Sequence, residues 1–169
     1  GEFVIGTVGR LTPEKGYDDL YRCARKLGPR YQFYIVGDGS EREWMKSHKP
    51  DNVTLCGSLP NEQIPDFLNK IDIYFQPSKR EGLCMTVIEA MACELPVVAS
   101  SVGGISESVV PNKTGFLCDS GDIECFSRRL QKLGENSELR SSMGQAGRKR
   151  AYSRYSKEEL VNKFCEVLS

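Results

Sequence analysis

The chain has 169 residues, of which 39% are hydrophobic and 27% are charged. This length supports one sizeable hydrophobic core, and the composition is that of a globular domain, which excludes a disordered chain. Lysine and arginine balance aspartate and glutamate at 23 each, so the basic surface by which many proteins bind nucleic acid is not predicted.

The sequence also disfavours a membrane-spanning protein and a metal-binding protein. No apolar run approaches the roughly 20 residues that span a bilayer, and the N-terminus lacks the pattern of a signal peptide. The seven cysteines are scattered, with no CxxC pair that would predict zinc. Because an odd number also argues against a disulfide framework, we expect reduced, mostly buried thiols in a cytoplasmic protein.

The elements follow in chain order from apolar periodicity and from turn residues. Strands are predicted at 3–8, 31–36, 53–56, 71–75, 97–100 and 115–117, and helices between them at 17–27, 41–47, 64–68, 86–93 and 105–109. Beyond these, helices are predicted at 123–133, 137–150 and 157–168. The alternation predicts an α/β fold, a Rossmann-like parallel sheet with helices on both faces. Trp44 is expected to pack its helix against the sheet, and His48 to be a solvated loop residue.

The loops that follow the strands are the first candidates for a site, because ligands bind at the carboxyl ends of the strands in such sheets. The loop VGRLTPEKG, residues 8–16, brings Arg10 and Lys15 to that end. Two cations there suit a diphosphate, since arginine binds phosphate oxygens bidentately and lysine acts as a point charge. From the residues alone, two solvated loop charges are an equally good interpretation.

The segment EGLCMTVIEAMA, residues 81–92, places Glu81 before a predicted helix and Glu89 within it. The backbone of residues 82–85 lies at the helix N-terminus, where free N–H groups and the helix dipole favour an anion. Carboxylates beside such a site suit the hydroxyls of a sugar or a ribose. The alternative interpretation is that Glu89 is a charge on the helix surface and that Glu81 is a loop charge near the N-cap, where acids are common.

Two glycine motifs carry weaker signals. VGDGS, residues 36–40, departs from the dinucleotide fingerprint because Arg42 stands at the third glycine position, so Gly37 and Gly39 are interpreted as turn residues. In SVGGISE, residues 101–107, Gly103 and Gly104 either allow a ligand or a neighbouring domain to approach or form a plain turn.

VGRLTPEKG and EGLCMTVIEAMACELPVVASSVGG together resemble the C-terminal domain of the retaining GT-B glycosyltransferases of family 4. The resemblance runs from about residue 3 to residue 168. It implies that 1–169 is one nucleotide-sugar-binding domain and that the N-terminal acceptor-binding domain is absent from this chain. Ser106 stands where the family often has proline, which puts only the local turn in doubt.

The resemblance also implies a role for individual residues. The diphosphate of the donor substrate would be bound by basic side chains and by backbone at a helix N-terminus, namely Arg10, Lys15, Leu83, Cys84 and Met85. The transferred sugar would contact Glu81, Gly82 and Leu83, with Glu81 as the catalytic group nearest the reacting carbon. Glu89 would bind the ribose, and Ser58, Leu59 and Gln63 would line the nucleobase.

The implied function is transfer of a hexosyl unit, with retention, from a nucleoside-diphosphate sugar to a hydroxyl acceptor in polysaccharide or glycoconjugate synthesis. No metal or other cofactor is expected, no nucleic-acid partner, and peripheral membrane contact only through the full-length enzyme. Two alternatives stay open: an epimerase-like GT-B domain, which would need further acid and base residues, and a non-catalytic nucleotide-binding module. Without its N-terminal half, the domain is expected to be inactive.

Overall fold

The computed structural model describes residues 2–155. The strands in this part are Phe3–Val8 (β1), Tyr31–Val36 (β2), Val53–Gly57 (β3), Ile73–Gln76 (β4), Val97–Ser100 (β5) and Gly115–Cys118 (β6). The helices are Tyr17–Leu27 (α1), Arg42–His48 (α2), Ile64–Leu68 (α3), Met85–Ala92 (α4), Ile105–Ser108 (α5), Ile123–Gly134 (α6) and Ser137–Arg154 (α7). Each was predicted from the sequence with small differences in bounds, whereas the helix predicted at 157–168 lies outside the described residues.

The six strands form one parallel sheet in the order β3-β2-β1-β4-β5-β6. Central β1 pairs with two neighbours, and Ile5 lies opposite Phe33 of β2 and Ile73 of β4. The chain winds outwards from β1 in one direction and from β4 in the other, which opens a crevice at their carboxyl ends. The predicted fold class is confirmed.

Each face of the sheet has its own hydrophobic core, because successive side chains of a strand point to opposite faces. On one face, Ile5 and Phe75 pack with α1 and with Phe126 of α6. On the other face, Tyr74 of β4 and Val87 of α4 pack together, covered also by α3 and α5. The helices therefore lie on both faces, as the sequence predicts.

Helix α7 contacts both cores. Met143, near its middle, belongs to the core on the α1 face, and Ala151, near its end, belongs to the core on the α4 face. Its packing partners include α4 and α6. Within residues 2–155, no helix has the length and apolar character needed to cross a membrane.

The expectation of reduced thiols is wrong for one pair of cysteines. Cys118, at the end of β6, forms a disulfide with Cys125 of α6, and their Cα atoms are 6.0 Å apart. Spacing alone did not show this, because the two residues meet only after the turn between β6 and α6 folds the chain back. The other described cysteines are free, namely Cys23, Cys56, Cys84 and Cys93. Cys165 lies outside the described residues.

The expectation for Trp44 is also wrong. Met45 is the residue that packs α2 against the core, at 0% exposure, while Trp44 is 39% exposed. The indole stacks on the rings of Tyr21 and His48, with centroid distances of 5.7 and 4.9 Å. Adjacent helical residues point about 100° apart, so the neighbour of a large apolar residue can be the one that is buried. His48 is exposed, as expected, but it ends α2 instead of lying in a loop.

Candidate functional site

A cavity of about 560 Å³ lies at the carboxyl ends of β1 and β2 and at the N-terminus of α4. Its walls come from the loops after the first three strands and from the segment that leads into α4. The predicted site residues that line it are Arg10, Lys15, Ser58, Leu59, Glu81, Leu83, Cys84, Met85 and Glu89. Segments far apart in sequence therefore meet around one space, next to the position where the strand order reverses.

Two predicted site residues, Gly82 and Gln63, do not line the cavity. The Gly82 carbonyl instead accepts a hydrogen bond from the Gly104 N–H at 2.9 Å. Gln63 is exposed at the end of the 3-10 turn Asn61–Gln63, and Asn61 of this turn lines the cavity. Sequence reasoning missed Asn61 because a 3-10 turn has no strong apolar period to predict which of its residues faces inward.

The loop after β1 is fixed against the loop after β4 at Gly16. This residue has φ 75°, which favours glycine, and a Cβ here would lie 2.0 Å from the Pro77 carbonyl oxygen. The Glu14 carbonyl accepts a hydrogen bond from the Lys79 N–H at 2.7 Å. Lys15 is thereby held beside the segment that carries Glu81.

Lys15 and Glu81 form an ion pair, with 2.6 Å between Nζ and Oε1. The Glu81 side chain is 7% exposed and that of Lys15 is 21% exposed. Both line the cavity, so an anionic ligand that binds Lys15 must share it with Glu81. Arg10 is exposed at the cavity wall, and no carboxylate of the described residues pairs with it. Its guanidinium is therefore free to bind an anion.

The N-terminus of α4 opens into the cavity. Its N-cap is Cys84, no side chain caps it, and Met85 and Thr86 of its first turn line the cavity with Cys84. The first N–H groups of a helix have no partner within the helix, and with the helix dipole they favour an anion. The cavity therefore contains a second feature, besides Arg10, that suits phosphate oxygens.

The glycine pair of SVGGISE supports the loop that carries Glu81. Gly103 has φ 51°, and a Cβ on it would lie 1.8 Å from the Glu81 carbonyl oxygen. The close approach therefore takes place within this chain, between the loop after β5 and the loop before α4. The glycine pair therefore forms a turn that packs closely on a neighbouring loop of the same chain.

Glu89 is buried on α4 at 6% exposure and lines the cavity. Burial raises the pKa of its carboxyl group to about 8, because a charge is less stable away from water. No donor of the described residues lies within hydrogen-bonding distance of its oxygens. The carboxyl group is thus available to a ligand with hydroxyl groups. Within residues 2–155, no cluster of three or more histidine, cysteine or acidic side chains could hold a metal ion.

The strand order, with a cavity at its reversal point, is that of a Rossmann-like ligand-binding domain. The family model described as Glycosyl transferases group 1 matches residues 1–150, and the chain belongs to this family.

Among curated relatives, the capsular polysaccharide biosynthesis glycosyltransferase CapM of Staphylococcus aureus is 30% identical over 165 residues, which cover 92% of this chain. The GDP-mannose-dependent monoacylated alpha-(1-6)-phosphatidylinositol monomannoside mannosyltransferase of Corynebacterium glutamicum is 30% identical over 178 residues, which cover 98% of this chain. The chain spans 43% of the length of CapM and 46% of the length of the mannosyltransferase.

Among solved structures, Anabaena HepE in complex with UDP and glucose is similar to this chain with a TM-score of 0.87 and 25% identity. The similarity covers 99% of this chain and 48% of HepE. The fold over almost the whole chain is thus the Rossmann-like fold of GT-B type.

Proposed function

We propose that this chain is the donor-binding domain of a retaining glycosyltransferase of family 4. The enzyme would transfer a hexosyl unit from a nucleoside-diphosphate sugar to a hydroxyl acceptor, in polysaccharide or glycoconjugate synthesis. The observation that carries the proposal is the cavity itself, which joins Arg10, Lys15, Glu81 and Glu89 around the uncapped N-terminus of α4. The UDP and glucose named for HepE and the GDP-mannose named for the mannosyltransferase support a nucleotide-sugar ligand.

The diphosphate binds between Arg10, Lys15 and the N–H groups at the start of α4. Arg10 supplies a cation that has no carboxylate partner. The Lys15 ammonium group donates to Glu81 and also to the phosphate oxygens. Backbone groups near Leu83, Cys84 and Met85 supply the helix-terminal donors. These groups also stabilise the charge on the departing nucleoside diphosphate, so the reaction as proposed requires no metal ion or other cofactor.

The two glutamates bind different hydroxyl groups of the same ligand. Glu81, next to Lys15, accepts hydrogen bonds from the sugar and lies nearest the reacting carbon. Glu89, on the second turn of α4, accepts the ribose hydroxyls. The base then lies against the segment after β3, which contributes Ser58 and Leu59 to the cavity wall.

Acceptor binding is proposed to require an N-terminal domain. The cleft would close around the donor when the two domains meet, and the acceptor would be held against the anomeric carbon. Such positioning lowers a barrier by several kcal/mol. We propose a cytoplasmic enzyme that contacts the membrane, if at all, through its full-length form.

Titration calorimetry of this chain with UDP, GDP and ADP tests the proposal. Arg10→Ala and Lys15→Ala should each weaken the affinity for the nucleoside diphosphate at least about tenfold, because a charge-assisted hydrogen bond contributes roughly 1.5–3 kcal/mol. EDTA should leave the affinity unchanged. Arg128→Ala, an exposed arginine of α6 that does not line the cavity, is the matched control. Wild-type affinity in both cavity variants would refute the placement of the diphosphate.

A further inference from the structure

A chain of side-chain hydrogen bonds leads from the buried end of β4 to Glu81. The Tyr74 hydroxyl donates to Gln76 Oε1 at 2.6 Å, and Gln76 Nε2 donates to Ser78 Oγ at 2.8 Å. Ser78 Oγ then donates to Glu81 Oε1, also at 2.8 Å. Tyr74, Gln76 and Ser78 are each at most 1% exposed. The chain is therefore shielded from water until it reaches the cavity.

The direction of these bonds is fixed from the Glu81 end. A carboxylate can only accept, so the single proton of Ser78 must point at Glu81. Ser78 must then accept from its other neighbour, which turns the N–H of Gln76 towards it. The carbonyl of Gln76 consequently faces the Tyr74 hydroxyl, which lies within reach of this oxygen and of the Val8 carbonyl at 3.0 Å.

The two oxygens of Glu81 are used differently. Oε1 accepts from both Ser78 and Lys15, at 2.8 and 2.6 Å. No group in the described part of the chain donates to Oε2. Because Glu81 lines the cavity, Oε2 is the oxygen left for a ligand.

Lys15 alone is a poor anchor for this arrangement once a diphosphate is bound, since phosphate oxygens compete for the ammonium group. Ser78 has no net charge and lies below the cavity floor, so a phosphate does not draw it away. We propose that Ser78, aligned by Gln76, is a positioning residue: it holds Glu81 Oε1 so that Oε2 meets the hydroxyls of the donor sugar. The inference rests on the proposed function and adds two residues to it.

Titration calorimetry with UDP and UDP-glucose, and with GDP and GDP-mannose, tests this role. Ser78→Ala should leave the affinity for UDP or GDP within about twofold, because the nucleotide does not need Oε2. The additional affinity contributed by the sugar should fall about fivefold, the effect of roughly one hydrogen bond. Ser100→Ala is the matched control, since Ser100 is also a fully buried serine, but its hydroxyl has no partner in the described residues.

A second variant tests the alignment of Ser78 by Gln76. Gln76→Met removes both polar atoms at a similar side-chain length, so the Ser78 hydroxyl loses the N–H group that orients it, and the sugar contribution should fall in the same direction as in Ser78→Ala. Thermal unfolding checks that each variant folds. If Ser78→Ala does not fold, Ser78→Cys keeps the side-chain shape, with a larger sulfur atom that is a much weaker donor, and should show the same loss.

Crystal structures of the wild type and Ser78→Ala, each with UDP or GDP bound, complete the test, because the diphosphate then competes with Glu81 for Lys15. We expect the Glu81 carboxylate to leave its wild-type orientation in the variant. An unchanged carboxylate, or an unchanged sugar contribution in Ser78→Ala, would overturn the role of Ser78 and leave the proposed function intact. Failure of the wild type to bind any of the four probes would overturn the proposed function, and this inference with it.

Discussion

Glu89→Gln should stabilise the fold and at the same time weaken nucleotide binding. Burial raises the pKa of the Glu89 carboxyl group from its ordinary value of 4.5 to about 8. Above pH 4.5 the unfolded chain therefore loses a proton that the folded chain keeps. Unfolding becomes more favourable as the pH rises, and this effect is complete once the pH exceeds the folded pKa. Glutamine is neutral in both states and lacks the effect.

The size of the effect follows from the two pKa values. The pKa difference lowers the free energy of unfolding of the wild type by up to about 5 kcal/mol above pH 8, and by about 3 kcal/mol at pH 7. At pH 5 the effect is below about 1 kcal/mol, because pH 5 lies only half a unit above the ordinary pKa of 4.5, so ionisation of the unfolded chain has contributed little. Glu89→Gln should thus gain stability over the wild type progressively between pH 5 and pH 8.

Urea unfolding of both proteins at pH 5, 6, 7 and 8 measures this difference. Glu43→Gln is the control, because Glu43 is also a helical glutamate but is exposed on α2. For the same proteins in the absence of urea, calorimetry at pH 8 should show weaker binding of UDP or GDP by Glu89→Gln than by the wild type. The wild-type carboxyl group can accept hydrogen bonds from both ribose hydroxyls. A difference in stability that does not change between pH 5 and pH 8 would refute the reasoning.

Three further results are expected. Glu81→Gln should not weaken UDP or GDP binding, because it releases Lys15 to the phosphates. It should reduce the additional affinity that the sugar contributes, measured by calorimetry. An equal loss of affinity for nucleotide and nucleotide sugar would contradict the separate roles of the two glutamates. Reduction of the Cys118–Cys125 disulfide by dithiothreitol should lower the free energy of unfolding by about 2.5 kcal/mol, the chain-entropy value for so short a loop. The control variant Cys118→Ser/Cys125→Ser should show no response to the reductant. The 169-residue chain should bind donor but transfer no sugar to an acceptor, as followed by radiolabelled transfer; turnover close to that of a two-domain form would show that acceptor positioning needs no second domain.

The sheet was predictable because its strands are buried parallel strands, which appear in sequence as short β-branched and aromatic runs. FVIGTV of β1 and YQFYIV of β2 were predicted with their observed bounds. The start of β4 was predicted two residues early, at 71, since Ile71 continues the apolar run but precedes the paired part of the strand.

The candidate site was only partly predictable. Arg10, Lys15, Glu81 and Glu89 could be selected because charged residues beside strand ends and helix starts have a physical use there. The pairing of Lys15 with Glu81 joins positions that are 66 residues apart, and no local pattern encodes it. Ser78 was missed for a related reason: its role depends on side-chain rotamers below the cavity.

The way α7 crosses from one core to the other has a consequence for how the domain unfolds. Met143 and Ala151 lie on a single continuous helix but belong to different cores. Neither core can lose its packing on α7 without the helix moving away from the other. The two faces of the sheet should therefore unfold together, in one cooperative transition, and amide hydrogen exchange should give the same opening free energy for the strand residues of both cores.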